Sequence, residues 1–224
     1  MKFKLTNLET IDEAKGLVIV IDVLRAFSTT CYLFHNKCKT IIPVETIEQA
    51  IKLKENNPDY ILLGERHGKP IPNFDHSNSP TEIKKINFSN KTVVMTTTAG
   101  TKGIVRSVNA EEIITGSFVN SGATINYIQQ KKPDIVSFVC TDSSFYDNED
   151  YMYAKYIQKY LEGKSLNFKD IKKHLEKHKC TDGFLKKPLT EFSRNDFNLC
   201  MKNDKFDFII KVSKHEGDIF LNKI

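Results

Sequence analysis

The chain has no tryptophan, only ten glycines and seven prolines in 224 residues, and no linker, repeat or low-complexity stretch. Its five cysteines, at 31, 38, 140, 180 and 200, form no Cys-x-x-Cys pair and leave an odd one over. That argues against a disulfide framework or a zinc cage and places the chain in a reducing compartment. The start, "MKFKLTNLET", lacks an apolar leader core, and no later run approaches the roughly eighteen apolar residues of a membrane span. A soluble, cytoplasmic protein with no membrane partner is expected. Also missing are a phosphate-binding P-loop, a Gly-x-Gly-x-x-Gly turn after the first strand and a Gly-x-Ser-x-Gly elbow. The 33 basic and 28 acidic residues are interspersed, for a net charge of +5. This mild excess suits a small anion as well as a nucleic acid, and no basic block argues for the latter.

What is present is enough for one sizeable core. Runs rich in Ile and Val predict strands at 17–23, 40–44, 60–65, 91–97, 112–117 and 134–140. Helices are predicted between and after them, at 28–36, 46–57, 80–86, 99–108, 121–131 and 149–163. This alternation implies an α/β fold of three layers, α/β/α, with a mostly parallel sheet. In "SPTE", Ser79 reads as an N-cap, Pro80 as the first helical residue and Glu82 as the capping-box partner. "KDIKKHLEKHKC" (169–180) reads as a solvated helix with Ile171 and Leu175 inward. The expected organisation is a single domain over 1–224, with a core at 16–162 and a packed C-terminal α+β extension at 163–224. The run 206–212 is expected as a last strand at a sheet edge.

Ligands of open α/β sheets sit beyond the carboxyl ends of the strands. There the sequence places Asp22, Arg25, Ser28 and Thr29 after the first strand and "GERHG" (Glu65, Arg66, His67) after the third. "TTTAGTKG" follows the fourth strand, with Thr97, Thr98, Gly100 and Thr101; Asn120 and Ser121 follow the fifth. Asp142, Asp147, Glu149 and Asp150 follow the sixth. Each has an ordinary structural reading. Asp22 and Arg25 could close a turn as a salt bridge, and Glu149 and Asp150 suit the first turn of any helix. Thr98 suits an N-cap, His67 a plain loop histidine, and Tyr153, Tyr156 and Tyr160 a helix's core face. Together, carboxylates suited to a hard divalent cation, arginine forks and a small-residue turn opening a helix describe a pocket for a phosphorylated, multiply anionic small molecule.

"IDVLRAFSTT", "IIPV", "GERHGKPIPNFDHSNSP", "TTTAGT", "SFVN" and "NEDYMYA", in this order, resemble the magnesium-dependent 2-phosphosulfolactate phosphatase family over about residues 16 to 160. "NDFNLCMKNDKFDFIIKV" resembles its closing segment. The resemblance implies Mg²⁺-dependent hydrolysis of 2-phospho-3-sulfolactate to sulfolactate and phosphate, a step toward coenzyme M. It implies a small phosphorylated and sulfonated substrate and no nucleic acid, and it leaves room for a homodimer. Asp22, Arg25, Glu65 and Arg66 are then the candidate catalytic residues. Asp22 with Glu149 or Asp150 would hold the metal, and Asn78, Thr97, Thr98, Gly100, Thr101 and Asn120 would bind substrate, with Lys102 as a further candidate for its second anionic end. Asp22 as metal ligand and Asp22 as nucleophile both stay open. The chain departs from the family pattern at Ala99 (Asn-Gly-Thr is usual), at Ser77 (Gly-Asn-Ser-Pro) and at Thr141 and Asp142 (Cys-Ala-Gly). A relative with another phosphorylated acid as substrate, or a binding protein for an anionic metabolite, are the alternatives.

Overall fold

A computed structural model describes residues 1–142, 146–190 and 192–224. The described strands are β1 (Lys2–Asn7), β2 (Leu17–Ile21), β3 (Thr40–Pro43), β4 (Ile61–Arg66), β5 (Lys69–Pro70), β6 (His76–Ser77), β7 (Thr92–Thr96), β8 (Glu112–Gly116), β9 (Ile135–Cys140), β10 (Ile210–His215) and β11 (Asp218–Lys223). The α-helices are α1 (Ala26–His35), α2 (Ile47–Asn56), α3 (Pro80–Ile83), α4 (Gly100–Arg106), α5 (Ser121–Lys131), α6 (Glu149–Leu161), α7 (Phe168–Leu175), α8 (Asp182–Leu185) and α9 (Ser193–Cys200). None is long and apolar enough to cross a membrane, among the described residues.

The fold is α/β. One mixed sheet runs β1-β9-β2-β8-β10-β11-β3-β7-β4-β5, with β6 beside β4. β1, β9, β2 and β8 are mutually parallel, as are β3, β7, β4 and β6. The continuous apolar run of β2 follows from burial on both faces. Val18 and Val20 pack in a cluster with Ala26, Phe27 and Ile104 from α1 and α4. Leu17, Ile19 and Ile21 join Ile125 of α5 and Tyr153 and Ile157 of α6 on the other side. Under α2 a smaller cluster of Ile42, Ala50, Leu62 and Val94 completes the second helical layer.

Local signals agree with these elements. Thr46 and Gln49 form a reciprocal capping box at the start of α2. Ser79 Oγ accepts from Glu82 N–H at 3.2 Å, with Pro80 at the first helical position. The predicted box at α3 is only half made, because the Glu82 carboxylate turns to the Ser77 N–H and hydroxyl and to His76. Asn148 caps α6, and Gly163, at φ +75°, ends the chain's helical path just beyond it. Of the three α6 tyrosines expected on its core face, Tyr153 is fully buried whereas Tyr160 is half exposed.

The C-terminal hairpin departs from expectation. β10 and β11 do not lie at an edge: they are inserted antiparallel between the two parallel halves, Lys211 opposite Ile114 of β8 and Leu221 opposite Ile41 of β3. Ile210, Val212 and Leu221 are buried in the same cluster as Val18 and Val93, so the hairpin carries the core across the seam. A chain-terminal strand inside a sheet buries both neighbours' polar edges as well as its own side chains. Leu221→Ala is therefore expected to lower unfolding free energy in urea by about 2–5 kcal/mol, as for a fully enclosed leucine. A loss below ~1 kcal/mol would mean that the seam does not hold the sheet.

Candidate active site

Beyond the carboxyl ends of β2, β4, β7 and β9 lies a cavity of about 230 Å³. Asp22, Leu24 and Arg25 line it from the β2–α1 turn, and Glu65, His67 and Gly68 from the end of β4. Thr98 and Ala99 come from the loop after β7, and Thr141 and Asp142 from the end of β9. Glu149 and Asp150 come from the start of α6. Asn78, Phe184 and Leu189 close the remaining side. Five carboxylates thus face one cavity beside one arginine and one histidine.

Burial dominates their ionisation. Asp22 is pushed up to about 7 by desolvation, with the charges of Glu65 and Asp142 adding to the effect. Glu149 is likewise pushed up to about 7 by burial, with Asp142 and Asp22 contributing. Asp150 is raised well above the usual carboxylate range by burial and by Glu149 and Asp22. Crowding of this kind is relieved by a cation more readily than by water.

The acids are not equivalent in their bonding. Asp150 is a cross-brace: Oδ1 accepts from Val23 N–H (2.9 Å), and Oδ2 accepts from the N–H and hydroxyl of Thr141 (3.0 and 3.2 Å) and from Asp142 N–H (3.2 Å). It ties the end of β2 to the end of β9. Glu65 plays the same part across β4 and β7, accepting from Thr98 N–H (2.6 Å), Thr98 Oγ1 (3.0 Å) and Gly68 N–H (2.7 Å). Asp22 uses one oxygen, Oδ1, to accept the Ala26 N–H that opens α1 (2.9 Å). Among the described residues, Glu149 Oε2 and Asn78 Oδ1 are buried with no hydrogen-bond partner.

Those orphaned oxygens bear on the implied metal. Among the described residues no three His, Cys, Asp or Glu side chains form a ready-made metal cage. The free donors are nevertheless all hard oxygens, and Mg²⁺ is commonly bound by one or two carboxylates with waters and substrate oxygens completing the shell. Asp22 and Glu149 fit that pattern, whereas Asp150 has its oxygens committed to the backbone.

Arg25 is 5% exposed, and its Nη1 pairs not with Asp22 but with Asp196 Oδ2, at 2.6 Å, while Nη2 donates to Gly68 O at 3.0 Å. The Phe184 ring lies 5.6 Å from its guanidinium carbon. Arg66 does not line the cavity. Its guanidinium donates to Glu65 O, Glu45 O and Thr96 Oγ1, bracing β4 against β7. Thr97 and Thr101 bond each other reciprocally, each N–H to the other's hydroxyl at 3.1 Å. So half of the expected N–H cradle over Thr98 to Thr101 is spent: Thr98 N–H belongs to Glu65 and Thr101 N–H to Thr97. Asn120, expected at the substrate, is fully buried elsewhere, with Nδ2 donating to Phe208 O at 3.2 Å and thereby clamping the C-terminal segment. Lys102 does not line the cavity either. Asp196, Phe184 and Leu189 were not singled out in the sequence.

Gly100 is required by contact. A Cβ there would stand 2.6 Å from Asp22 Oδ2 and 2.8 Å from Ala26 Cβ. Gly100→Ala is expected to displace the Asp22 carboxylate and to shift α4 away from Ala26 of α1, visible in a crystal structure of the variant. An unmoved Asp22 would show that the contact is not restrictive.

Comparison with known proteins agrees with the geometry. The family model described as 2-phosphosulpholactate phosphatase matches residues 4–215. A "Probable 2-phosphosulfolactate phosphatase" of Thermotoga maritima is 32% identical over 197 residues, covering 84% of this chain and 85% of that protein. One from Caldicellulosiruptor saccharolyticus is 41% identical over 160 residues, 68% of this chain and 64% of the relative. One from Caldanaerobacter subterraneus is 32% identical over 221 residues, 87% of each. The order of motifs, the acid-lined cavity at the strand ends and a match running through the C-terminal hairpin's first strand converge: the chain belongs to the 2-phosphosulfolactate phosphatase family.

Proposed function

We propose that the chain hydrolyses the phosphate monoester of a small anionic hydroxy acid, 2-phospho-3-sulfolactate being the first candidate, with Mg²⁺ as cofactor. The single observation that carries this reading is the cavity in which Asp22, Glu149 and Arg25 meet beside unpartnered buried oxygens. Family membership supplies the reaction class.

Asp22 and Glu149 are the residues that would hold the metal, with Asn78 Oδ1 beside them. Bound there, magnesium would polarise a phosphoryl oxygen and offset charge on the leaving alkoxide. Arg25 binds the phosphoryl group. Of its five N–H donors, two are spent on Asp196 and Gly68, and the others have no partner among the described residues. Its fixed charge is matched to the phosphoryl oxygen atoms in the bound substrate and in the transition state alike. Glu65 and Asp150 hold the loops in place through backbone N–H groups. Leu24, Phe184 and Leu189 supply apolar walls that exclude water and strengthen each electrostatic contact. Asp22 serves either as metal ligand or as nucleophile; rapid quench under single turnover distinguishes the two by the presence of a phospho-enzyme.

Of the departures from the family pattern, Ala99, Thr141 and Asp142 lie on the cavity wall, whereas Ser77 bonds Glu82 away from it. Substrate choice therefore rests on the β7 and β9 loops. The test is phosphate release from 2-phospho-3-sulfolactate and from a panel of phosphorylated hydroxy acids. Release that is abolished by a chelator and restored by Mg²⁺ is expected, and Asp22→Asn should lower kcat by about a thousandfold or more with the melting temperature kept. No release from any substrate, or full activity in Asp22→Asn, would overturn the reading.

A further inference from the structure

We infer that Asp196 is the positioning residue of this site: it fixes Arg25 and the Asn78–Ser79 loop as one unit. The inference rests on the phosphatase reading for what Arg25 binds, but the positioning itself rests on geometry. Asp196 lies on α9, 171 residues from Arg25, and is completely buried. Its two oxygens divide the work. Oδ2 takes Arg25 Nη1 at 2.6 Å, and Oδ1 accepts from Ser79 Oγ at 2.7 Å and Thr81 N–H at 2.9 Å. The carboxylate therefore joins the β2–α1 turn to the start of α3, where Asn78 presents its orphaned Oδ1 on the cavity wall.

An arginine that reaches across a cavity on a flexible stem loses rotamer entropy each time it binds an anion. Here that cost is met in folding. Asp196 holds one terminal nitrogen, Gly68 O the other, and the Phe184 ring packs near the guanidinium carbon, so the fork is set before substrate arrives. The buried pair is also the only described ion pair that links a cavity-lining cation to an acid outside the cavity. Without it, Arg25 would be free to pair with Asp22 or Glu149 and to occupy the place of the cation those acids need. Asp196 thus keeps the arginine for the substrate and the cavity acids for the metal.

The experiment compares wild type with Asp196→Asn. The amide oxygen can still accept from Ser79 and Thr81, whereas the amide nitrogen, a donor, faces the Arg25 donor. The substitution thus disrupts the arginine and spares the loop. Two measurements are made: steady-state phosphate release, and the guanidinium NMR signals of Arg25. The variant is expected to raise KM about ten- to a hundredfold, the loss of one well-placed charge-assisted contact, with a smaller change in kcat. The Arg25 Nη signals, separate in wild type, should merge as rotation becomes free. Ser79→Ala, which removes one restraint on the carboxylate together with the N-cap of α3 and leaves no unpaired charge, should move both readouts the same way by less and serves if Asp196→Asn does not fold. Unchanged KM and unchanged Arg25 signals in a folded variant would overturn the inference. If wild type releases no phosphate, the phosphatase reading falls, and the NMR comparison alone decides whether Asp196 positions Arg25.

Discussion

Buried like charges repel, and five carboxylates line a single cavity at the ends of four strands. The chain manages this in three ways. Asp150 and Glu65 accept several N–H and hydroxyl donors each, which turns them into staples between neighbouring strands. Arg25 brings one fixed positive charge. Asp22 and Glu149 are left with raised affinities for a proton and with oxygen atoms to spare, a state suited to capture of a small hard cation. The proposed magnesium and the proposed phosphate substrate complete an electrostatic arrangement that the protein alone leaves unfinished.

The sheet explains why those groups can stay so close. Residues that follow β2 and β9 of one parallel half and β4 and β7 of the other line the same cavity, and the hairpin of β10 and β11 joins the two halves. The C-terminal segment therefore contributes twice. Its last strands close the sheet, and α8 and α9 supply Phe184 and Asp196, which pack and pair with Arg25. A change in the core at Leu221 and a change at Asp196 act on the same object, the relative placement of the strand ends.

Much of this was legible in the sequence because doubly buried parallel strands are written as unbroken apolar runs, and the carboxyl end of such a run marks where chemistry gathers. Asp22, Arg25, Glu65, Asn78, Thr98, Glu149 and Asp150 all reach the cavity wall. β1 was not legible, since it pairs only with β9 at the sheet margin and half of its side chains are exposed. The hairpin's place was not legible either: a strand of ordinary composition carries no mark of which neighbours it will separate. Roles within the site divided on hydrogen-bond accounting that spacing cannot give. Thr98 and Thr101 look like phosphate cradles until their N–H groups are found to be in use, and Asn120 looks like a ligand until it bonds Phe208. Asp196 lies in the closing segment that resembles the family, but nothing local marked its role, because its partner is brought to it by the fold.

The measurement that tests the central claim most directly is the melting temperature as a function of Mg²⁺ concentration, in wild type and in Glu149→Gln. A cation that binds the folded cavity and not the unfolded chain must stabilise the fold in proportion to its occupancy. The account predicts a clear rise with Mg²⁺ in wild type and little or none in Glu149→Gln, whose melting temperature without metal should equal or exceed that of wild type because one buried charge is gone. A wild-type melting temperature indifferent to Mg²⁺, or an equal rise in the variant, would contradict the claim that these acids are held together to bind a cation.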